Sequence, residues 1–278
     1  MSTSQAVAAS GYAHRRQAQR GWRRWPRVYA RPLVGGISTA AALVFWELFA
    51  RAQFVDPLFL PAPTTVAGHA WELLSTGDIL PDLKLSAIEF LAGFVLALAT
   101  AIPLGLAAGW YPRLHYMTNP FVATLYALPR IALVPWILLL FGIGYLPKVV
   151  LVFMGVFFPV IINARDGVRT VDRDYLRLAR SFGASRLWTF VSVVLPASVP
   201  FTLAGVRIGI GTGLIGLVIA EFITANAGIG YRIHVAGHQL DTPTVFAGIV
   251  ILAAVSVALT RGVDRIERRF SGWQLGAR

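Results

Sequence analysis

Long apolar blocks separated by short polar segments dominate the pattern of this 278-residue chain. A transmembrane helix needs about 20 predominantly apolar residues, and six blocks approach or exceed that length. They are Leu33–Ala50, Leu85–Gly109, Asn119–Phe141, Val149–Ala164, Val199–Phe222 and Val245–Thr260. The fourth and sixth blocks are short, so we expect flanking residues to lengthen them, with Lys148 snorkelling to the membrane surface. The pattern predicts an all-α, polytopic membrane helix bundle of six transmembrane helices.

The distribution of basic residues tests this topology. With the N-terminus inside, the cytoplasmic segments hold 19 Lys and Arg residues and the outer segments hold four. Positively charged flanks resist translocation, so both termini are predicted to be cytoplasmic. The chain then divides into a basic N-terminal tail (1–32), a transmembrane domain (33–260) with a long cytoplasmic loop (165–198), and a C-terminal tail (261–278).

Composition narrows the class of protein. Hydrophobic residues make up 56% of the chain and charged residues 14%, whereas soluble domains average about 25% charged residues. The formal net charge of +12 does not indicate a nucleic-acid partner, because the arginines flank apolar blocks and suit contact with anionic membrane lipid. There is no cysteine, which excludes thiolate metal sites and thiol nucleophiles. His234 and His238 could share a metal ion, but ordinary interfacial polarity is the better explanation, so no metal site is predicted.

Small residues are spaced at helical intervals within two of the apolar blocks. In the second block they recur at every fourth position, from Gly93 to Gly109, and in the fifth they are Gly205, Gly209 and Gly213. Such stripes let helix backbones approach closely in lipid, where no hydrophobic effect drives helices together. They predict a compact bundle.

The third block carries the first candidate for a translocation path. Pro129 and Pro135 interrupt it, and Arg130 lies beside Pro129. Broken helices line cavities in transporters, and a charged residue deep in a span requires a partner or water. Arg207 in the fifth block and Glu221 at its end complete the candidate set. The alternative is that these charged residues form structural ion pairs, which we favour for Arg207.

The long cytoplasmic loop carries the second candidate site. Asp174 is positioned to cap a short helix whose apolar residues, Tyr175, Leu178, Ala179 and Phe182, follow a spacing of three and four. Gly183 is expected to end that helix, and a second amphipathic helix to run toward Leu195 and Pro196. An amphipathic helical hairpin with several arginines suits docking of a soluble partner. The alternative is a helix that lies on anionic lipid.

One sequence motif in this loop resembles that of a known family. A glycine, an aliphatic residue ten positions later, and a Leu-Pro pair fall on Gly183, Val193, Leu195 and Pro196, as in the cytoplasmic loop of the permease subunits of ABC importers. The Glu-Ala-Ala triplet of the family corresponds to Arg177, Leu178 and Ala179, so an arginine replaces the glutamate. Four further stretches resemble the nitrate, sulfonate and taurine branch. They are 57–63, 129–135, 141–144 and 220–231.

This resemblance implies a type I ABC importer permease in the bacterial plasma (inner) membrane. It implies three partners: a cytoplasmic ABC ATPase dimer, an extracytoplasmic solute-binding protein, and a second copy of the chain in a homodimer. By resemblance, residues 175–188 form the coupling helix region, and the candidate coupling residues are Tyr175, Arg177, Leu178, Ala179, Phe182, Gly183, Ala184, Arg186 and Leu187. The broken third span and the fifth span would line the path.

The sequence contains no G-x-x-x-x-G-K-[ST] loop, so we expect this chain to be a transport subunit, not an enzyme. No cofactor is expected on this chain, and ATP and Mg²⁺ belong to the partner ATPase. The expected solute is small and anionic, with sulfonates and taurine first and nitrate or bicarbonate next. The alternatives are a permease for a neutral or heterocyclic vitamin precursor or an aromatic acid, and an ion-coupled secondary carrier.

Overall fold

The structure, a computed structural model, describes residues 27–224 and 226–270. Within these ranges the ordered elements are all helical. They are α1 (Arg27–Arg51), α2 (Pro63–Ser75), α3 (Leu80–Trp110), α4 (Pro112–Ala127), α5 (Arg130–Phe141), α6 (Tyr145–Arg169), α7 (Arg173–Ser181), α8 (Arg186–Thr189), a π-helical turn (Phe190–Val194), α9 (Leu195–Thr224), α10 (Ile229–His238) and α11 (Thr242–Phe270).

The described residues up to Val55 form one compact unit, and those from Asp56 onward form a second. Within the first unit, α1 is long and apolar enough to cross a membrane by itself. An ion pair between Glu47 Oε1 and Arg51 Nε, 2.6 Å apart, lies at its C-terminal end. Residues 1–26 of the predicted basic tail are outside the described residues.

The second unit is built around α6, whose buried residues extend from Pro147 to Val168. The stripes of small residues explain the close packing on its two sides. A Cβ atom on Gly93 would lie 2.7 Å from the Val149 carbonyl oxygen, and one on Gly105 would lie 2.7 Å from that of Ile161. On the other side, a Cβ on Gly205 would lie 2.7 Å from the Cβ of Asn163. The predicted compact bundle is confirmed, with α6 held between α3 and α9.

The contacts between α3 and α6 also settle the number of crossings. Gly93 contacts Val149 near the start of α6, while Gly109 contacts Val168 near its end, so the two helices run parallel to each other. The chain therefore leaves α3 at the cytoplasmic face and enters α6 at the outer face. Helices α4 and α5 lie between those points and meet at a bend of 101°. Together they make one broken span, and the six predicted crossings are confirmed.

The break has a local cause in the sequence. Leu128 precedes a proline, a position that disfavours helical backbone, and it is extended with ψ 134°. Pro129 follows, also extended, as the residue before α5. Pro120 and Pro135, in contrast, lie inside α4 and α5. Of the three prolines in this block, Pro129 marks the break.

Two expectations about span ends require correction. Lys148 does not snorkel: its residue is 5% exposed, and Nζ lies 2.6 Å from Oε1 of the buried Glu89 on α3. The carboxylate partner, 59 positions earlier in the chain, is the physical reason. The predicted sixth block also continues to Phe270, so residues 261–270 of the predicted tail extend α11.

Candidate functional site

The cytoplasmic hairpin begins with α7, and the cap of this helix differs from the prediction. Asp172, not Asp174, is the N-cap residue, and its carboxylate accepts a hydrogen bond from the Asp174 backbone N–H at 2.9 Å. Asp174 lies inside the first turn, where its negative charge favours the helix N-terminus. The prediction was wrong by two residues because both aspartates suit a cap.

Gly183 ends the helix as predicted. Its φ of +77° is readily adopted by glycine, and the backbone makes the paired hydrogen bonds of a Schellman motif. The Gly183 N–H donates to the Arg180 carbonyl at 3.0 Å, and the Ala184 N–H donates to the Ala179 carbonyl at 3.0 Å. The chain therefore turns sharply between α7 and α8.

The second helix of the hairpin is not separate from the fifth span. Ser185 caps α8 through the Trp188 backbone N–H, and the π-helical turn 190–194 joins α8 to α9. The Leu195 N–H donates to the Phe190 carbonyl, five residues earlier. Pro196, which has no N–H, follows at once, and a π turn relieves the clash of its ring with the preceding turn. The hairpin is thus connected directly to a transmembrane helix.

The apolar side chains of the hairpin face outward, away from the bundle. Phe182 is 82% exposed and Leu187 is 74% exposed, and Tyr175 and Leu178 are also exposed. Of these, Tyr175, Leu178 and Phe182 line a groove of about 610 Å³ together with Trp188 and Val193. Trp188 and Val193 were missing from the predicted set of coupling residues, although Trp188 lies within the predicted coupling helix region 175–188. A cluster of large exposed apolar side chains marks an interaction surface.

Three of the remaining predicted coupling residues line this groove, and two arginines lie elsewhere on the hairpin. Ala179, Gly183 and Ala184 line it. Arg177 is exposed and makes a 3.3 Å ion pair with Asp174, itself exposed. Arg186 is exposed and, with Ala184, also lines a second recess on the side of Trp110. The structure therefore brings the predicted coupling residues together on one hairpin.

The residues predicted for a translocation path separate into two groups. Pro129 and Pro135 are exposed on the broken span, and Arg130 lies at its bend. The Arg130 Nη1 donates to the Thr212 carbonyl at 3.4 Å. Within the described residues, Arg130 has no carboxylate at ion-pair distance. Helix α5 has 12 residues, so Arg130 lies about 18 Å along the helix axis from the other end of α5.

Arg207 and Glu221 have partners inside the bundle. The Arg207 Nη2 lies 2.6 Å from Oδ1 of Asp264 and 2.5 Å from Oε2 of Glu267 on α11. Both partners lie beyond the predicted end of the sixth block, which is why sequence reasoning missed them. Glu221 is fully buried, and its carboxylate accepts hydrogen bonds from the Ser86 hydroxyl and the Gly230 N–H. These contacts favour structural roles, and a path role for either residue stays a prediction.

The sequence profile described as "binding-protein-dependent transport system inner membrane component" matches residues 101–272. The chain belongs to this family. It is therefore an inner-membrane permease subunit of a binding-protein-dependent ABC importer, as the loop motif predicted.

Named relatives of the permease cover most of its length. The taurine transport system permease protein of Escherichia coli strain K12 is 34% identical over 90% of this chain and 92% of its own length. A putative aliphatic sulfonates transport permease protein of Bacillus subtilis strain 168 is 31% identical over 86% and 87%. The riboflavin transport system permease protein of Chloroflexus aurantiacus is 31% identical over 84% and 87%.

A solved structure supports the fold. Inward-facing conformations of the MetNI methionine ABC transporter include a chain that superposes on this permease with a TM-score of 0.59 at 14% sequence identity. The superposition covers 69% of this permease and 95% of that chain. The predicted importer permease fold is confirmed.

Proposed function

We propose that this permease imports a small organic anion of the sulfonate class, with taurine as the first candidate. The supporting observation is the single cation at the bend of the broken span. Arg130 lies at the bend of the broken span without a carboxylate partner among the described residues, whereas Arg207 has two. A cation within a membrane span is costly unless an anion or water reaches it. A sulfonate passing the bend would supply the missing charge.

The energy for import comes from a cytoplasmic ATPase dimer that hydrolyses ATP and docks on the α7–α8 hairpin. Two observations support this assignment. The exposed apolar groove lies on the cytoplasmic side, and α8 continues through the π turn into α9, so force on the hairpin reaches a transmembrane helix directly. Two copies of the permease form a homodimer around the path, and a solute-binding protein delivers the solute from outside.

Uptake by the reconstituted transporter tests this proposal. The permease is placed in liposomes with a candidate ATPase and a candidate binding protein, and uptake of labelled taurine and ATP hydrolysis are measured together. We expect uptake that requires all three proteins and ATP. Uptake by the permease alone, driven by an ion gradient, would contradict the proposal and identify a secondary carrier.

The solute class is tested by Arg130 and by competing solutes. Arg130→Gln should lower uptake about tenfold or more, since a lost charged hydrogen bond is worth about 1.5–3 kcal/mol, and Arg130→Lys should restore part of it. Arg207→Gln is the control, because it should lower thermal stability without changing the solute concentration for half-maximal uptake. The riboflavin permease among the relatives makes a neutral solute the second candidate. Riboflavin uptake that survives Arg130→Gln would favour it.

A further inference from the structure

The outer segment, defined as residues 226–241, is held in place by buried and partly buried polar groups on other helices. The Asp82 carboxylate on α3 accepts hydrogen bonds from the Gly228 N–H at 2.8 Å and the Arg232 Nε at 2.7 Å. The Ser86 hydroxyl accepts from the Ile229 N–H at 2.9 Å and donates to Glu221. These bonds satisfy N–H groups at the start of α10 that have no partner inside the helix.

Two glycines make this arrangement close-packed. Gly228 has a φ of +117°, and a Cβ atom there would overlap the Glu221 carboxylate. A Cβ on Gly230 would lie 2.7 Å from Oε2 of Glu221. On the opposite side, Ile229 and Ile233 pack with residues of α2 and α11. The start of α10 is therefore fixed by hydrogen bonds on one side and by apolar packing on the other.

At its other end the segment presents a strained and exposed leucine. The Asp241 N–H donates to the Ala236 carbonyl at 2.9 Å and the Leu240 N–H donates to the Gly237 carbonyl at 3.3 Å, which is a second Schellman motif. The position that glycine usually occupies is Leu240, with a φ of +59°. Leu240 is also 51% exposed. A left-handed leucine is unfavourable for the backbone, so such strain points to a functional role.

A polar recess of about 420 Å³ lies beside this leucine. Side chains of both charge signs line it, including Arg232 and Asp241, together with the polar Asn226, Tyr231 and Gln239. Lipid chains are apolar and cannot form hydrogen bonds or ion pairs with such a lining. A folded protein in the outer compartment can form them, because its surface offers charged groups of both signs, and it can also offer a small apolar patch to Leu240.

We propose that Leu240 and the adjacent recess form the surface on which the solute-binding protein lands, with Asp82, Ser86 and Glu221 as positioning residues. The inference rests on the proposed function for the existence of that partner. Beyond that function, the inference specifies which residues contact the partner and why these residues are held rigidly. Preorganisation of this kind lowers the ordering cost of association.

Leu240→Gly separates a landing role from a structural one. The substitution relieves the left-handed strain, so it should leave the thermal stability of the permease equal or higher, yet it removes the side chain that meets the partner. ATP hydrolysis by the full reconstituted transporter is measured against the concentration of its binding protein. We expect the half-saturating concentration to rise about tenfold, as for loss of one interface anchor, with the maximal rate unchanged. Leu240→Met should keep near-normal affinity.

Gln53→Gly is the matched control. Gln53 has a φ of +55° in the turn after α1, so the substitution removes similar strain outside the outer segment and should leave the half-saturating concentration unchanged. Asp82→Ala tests positioning, and it should raise that concentration while Leu240 is intact. An unchanged value for Leu240→Gly, or an equal rise for Gln53→Gly, would overturn the inference and leave the proposed function standing. Absence of any stimulation of the wild type by the binding protein would overturn both.

Discussion

The cytoplasmic hairpin and the outer segment use the same backbone device at opposite faces of the membrane. Each contains a short helix that ends in a Schellman motif, with Gly183 at the left-handed position in one and Leu240 in the other. Their support differs. The hairpin is capped by its own residues, Asp172 and Ser185, whereas the outer segment takes its caps from residues more than 140 positions away on α3.

This difference in support indicates that the two regions have different roles in transport. The hairpin exposes apolar side chains and makes few bonds to the rest of the protein, which suits a surface that a moving partner grips. The outer segment is bonded to several transmembrane helices and exposes mainly polar groups, which suits a fixed landing surface. The following predictions test this contrast.

Phe182→Asp should have the largest effect on transport. A buried carboxylate in an apolar interface is strongly unfavourable, so uptake by the reconstituted transporter should fall about a hundredfold or more, as for loss of an interface anchor. Because Phe182 is exposed in the permease, its thermal stability should not change. Phe182→Leu is the control and should retain uptake. Normal ATPase binding by Phe182→Asp in a pull-down assay would show that the groove is not the docking surface.

Lys148→Met should have the largest effect on stability. It leaves the Glu89 carboxylate buried without its cation, and loss of one partner of a buried pair costs about 3–5 kcal/mol. The double substitution Lys148→Met with Glu89→Leu should recover most of this loss, since no charge is then buried. Thermal unfolding in detergent measures both. Equal stability of Lys148→Met and the wild type would contradict the buried pair.

Gly228→Ala and Gly183→Ala compare the two regions directly. At Gly183 the space around an added Cβ is open, so alanine should cost about 1 kcal/mol from backbone strain alone, and asparagine should cost less. At Gly228 the Cβ also overlaps the Glu221 carboxylate, so the loss should be larger and asparagine should not rescue it. Similar losses at the two glycines would contradict the close packing of the outer segment.

Arg177→Ala should have the smallest effect on the fold. Its ion pair with Asp174 is exposed on both sides, and such pairs contribute about 0–1 kcal/mol. We therefore expect thermal stability to change by less than about 1 kcal/mol. A reduction of ATP-dependent uptake without loss of stability would identify Arg177 as a contact to the ATPase. A large loss of stability would instead show a structural role.

The sequence predicted features that depend on neighbouring residues. The broken third span follows from Leu128 and Pro129, the end of α7 from Gly183, and the packing stripes from glycines spaced at helical intervals. The apolar positions of the hairpin follow from the same local spacing. Each of these signals lies within a few residues of its consequence, so one sequence suffices to find it.

Features that join distant residues could not be predicted in this way. The partner of Lys148 is Glu89, and the partners of Arg207 lie on α11, so neither pair has a local signal. Leu240 offers none either, because leucine does not favour the left-handed backbone it adopts. The cap of α7 was misplaced for another reason: Asp172 and Asp174 are equally good candidates by residue type, and only the backbone decides between them.

Accessibility of two single cysteines tests the central claim most directly. The natural chain has no cysteine, so Phe182→Cys and Leu240→Cys each give one label site. The claim is that the hairpin faces the cytosol and the outer segment faces outward. A membrane-impermeant maleimide is added to cells whose inner membrane is intact and whose outer membrane, if present, has been permeabilised. It should label Leu240→Cys in these cells. It should label Phe182→Cys only after the inner membrane is opened. Labelling of Phe182→Cys from outside the intact inner membrane would contradict the account, because a cytoplasmic ATPase could not reach it.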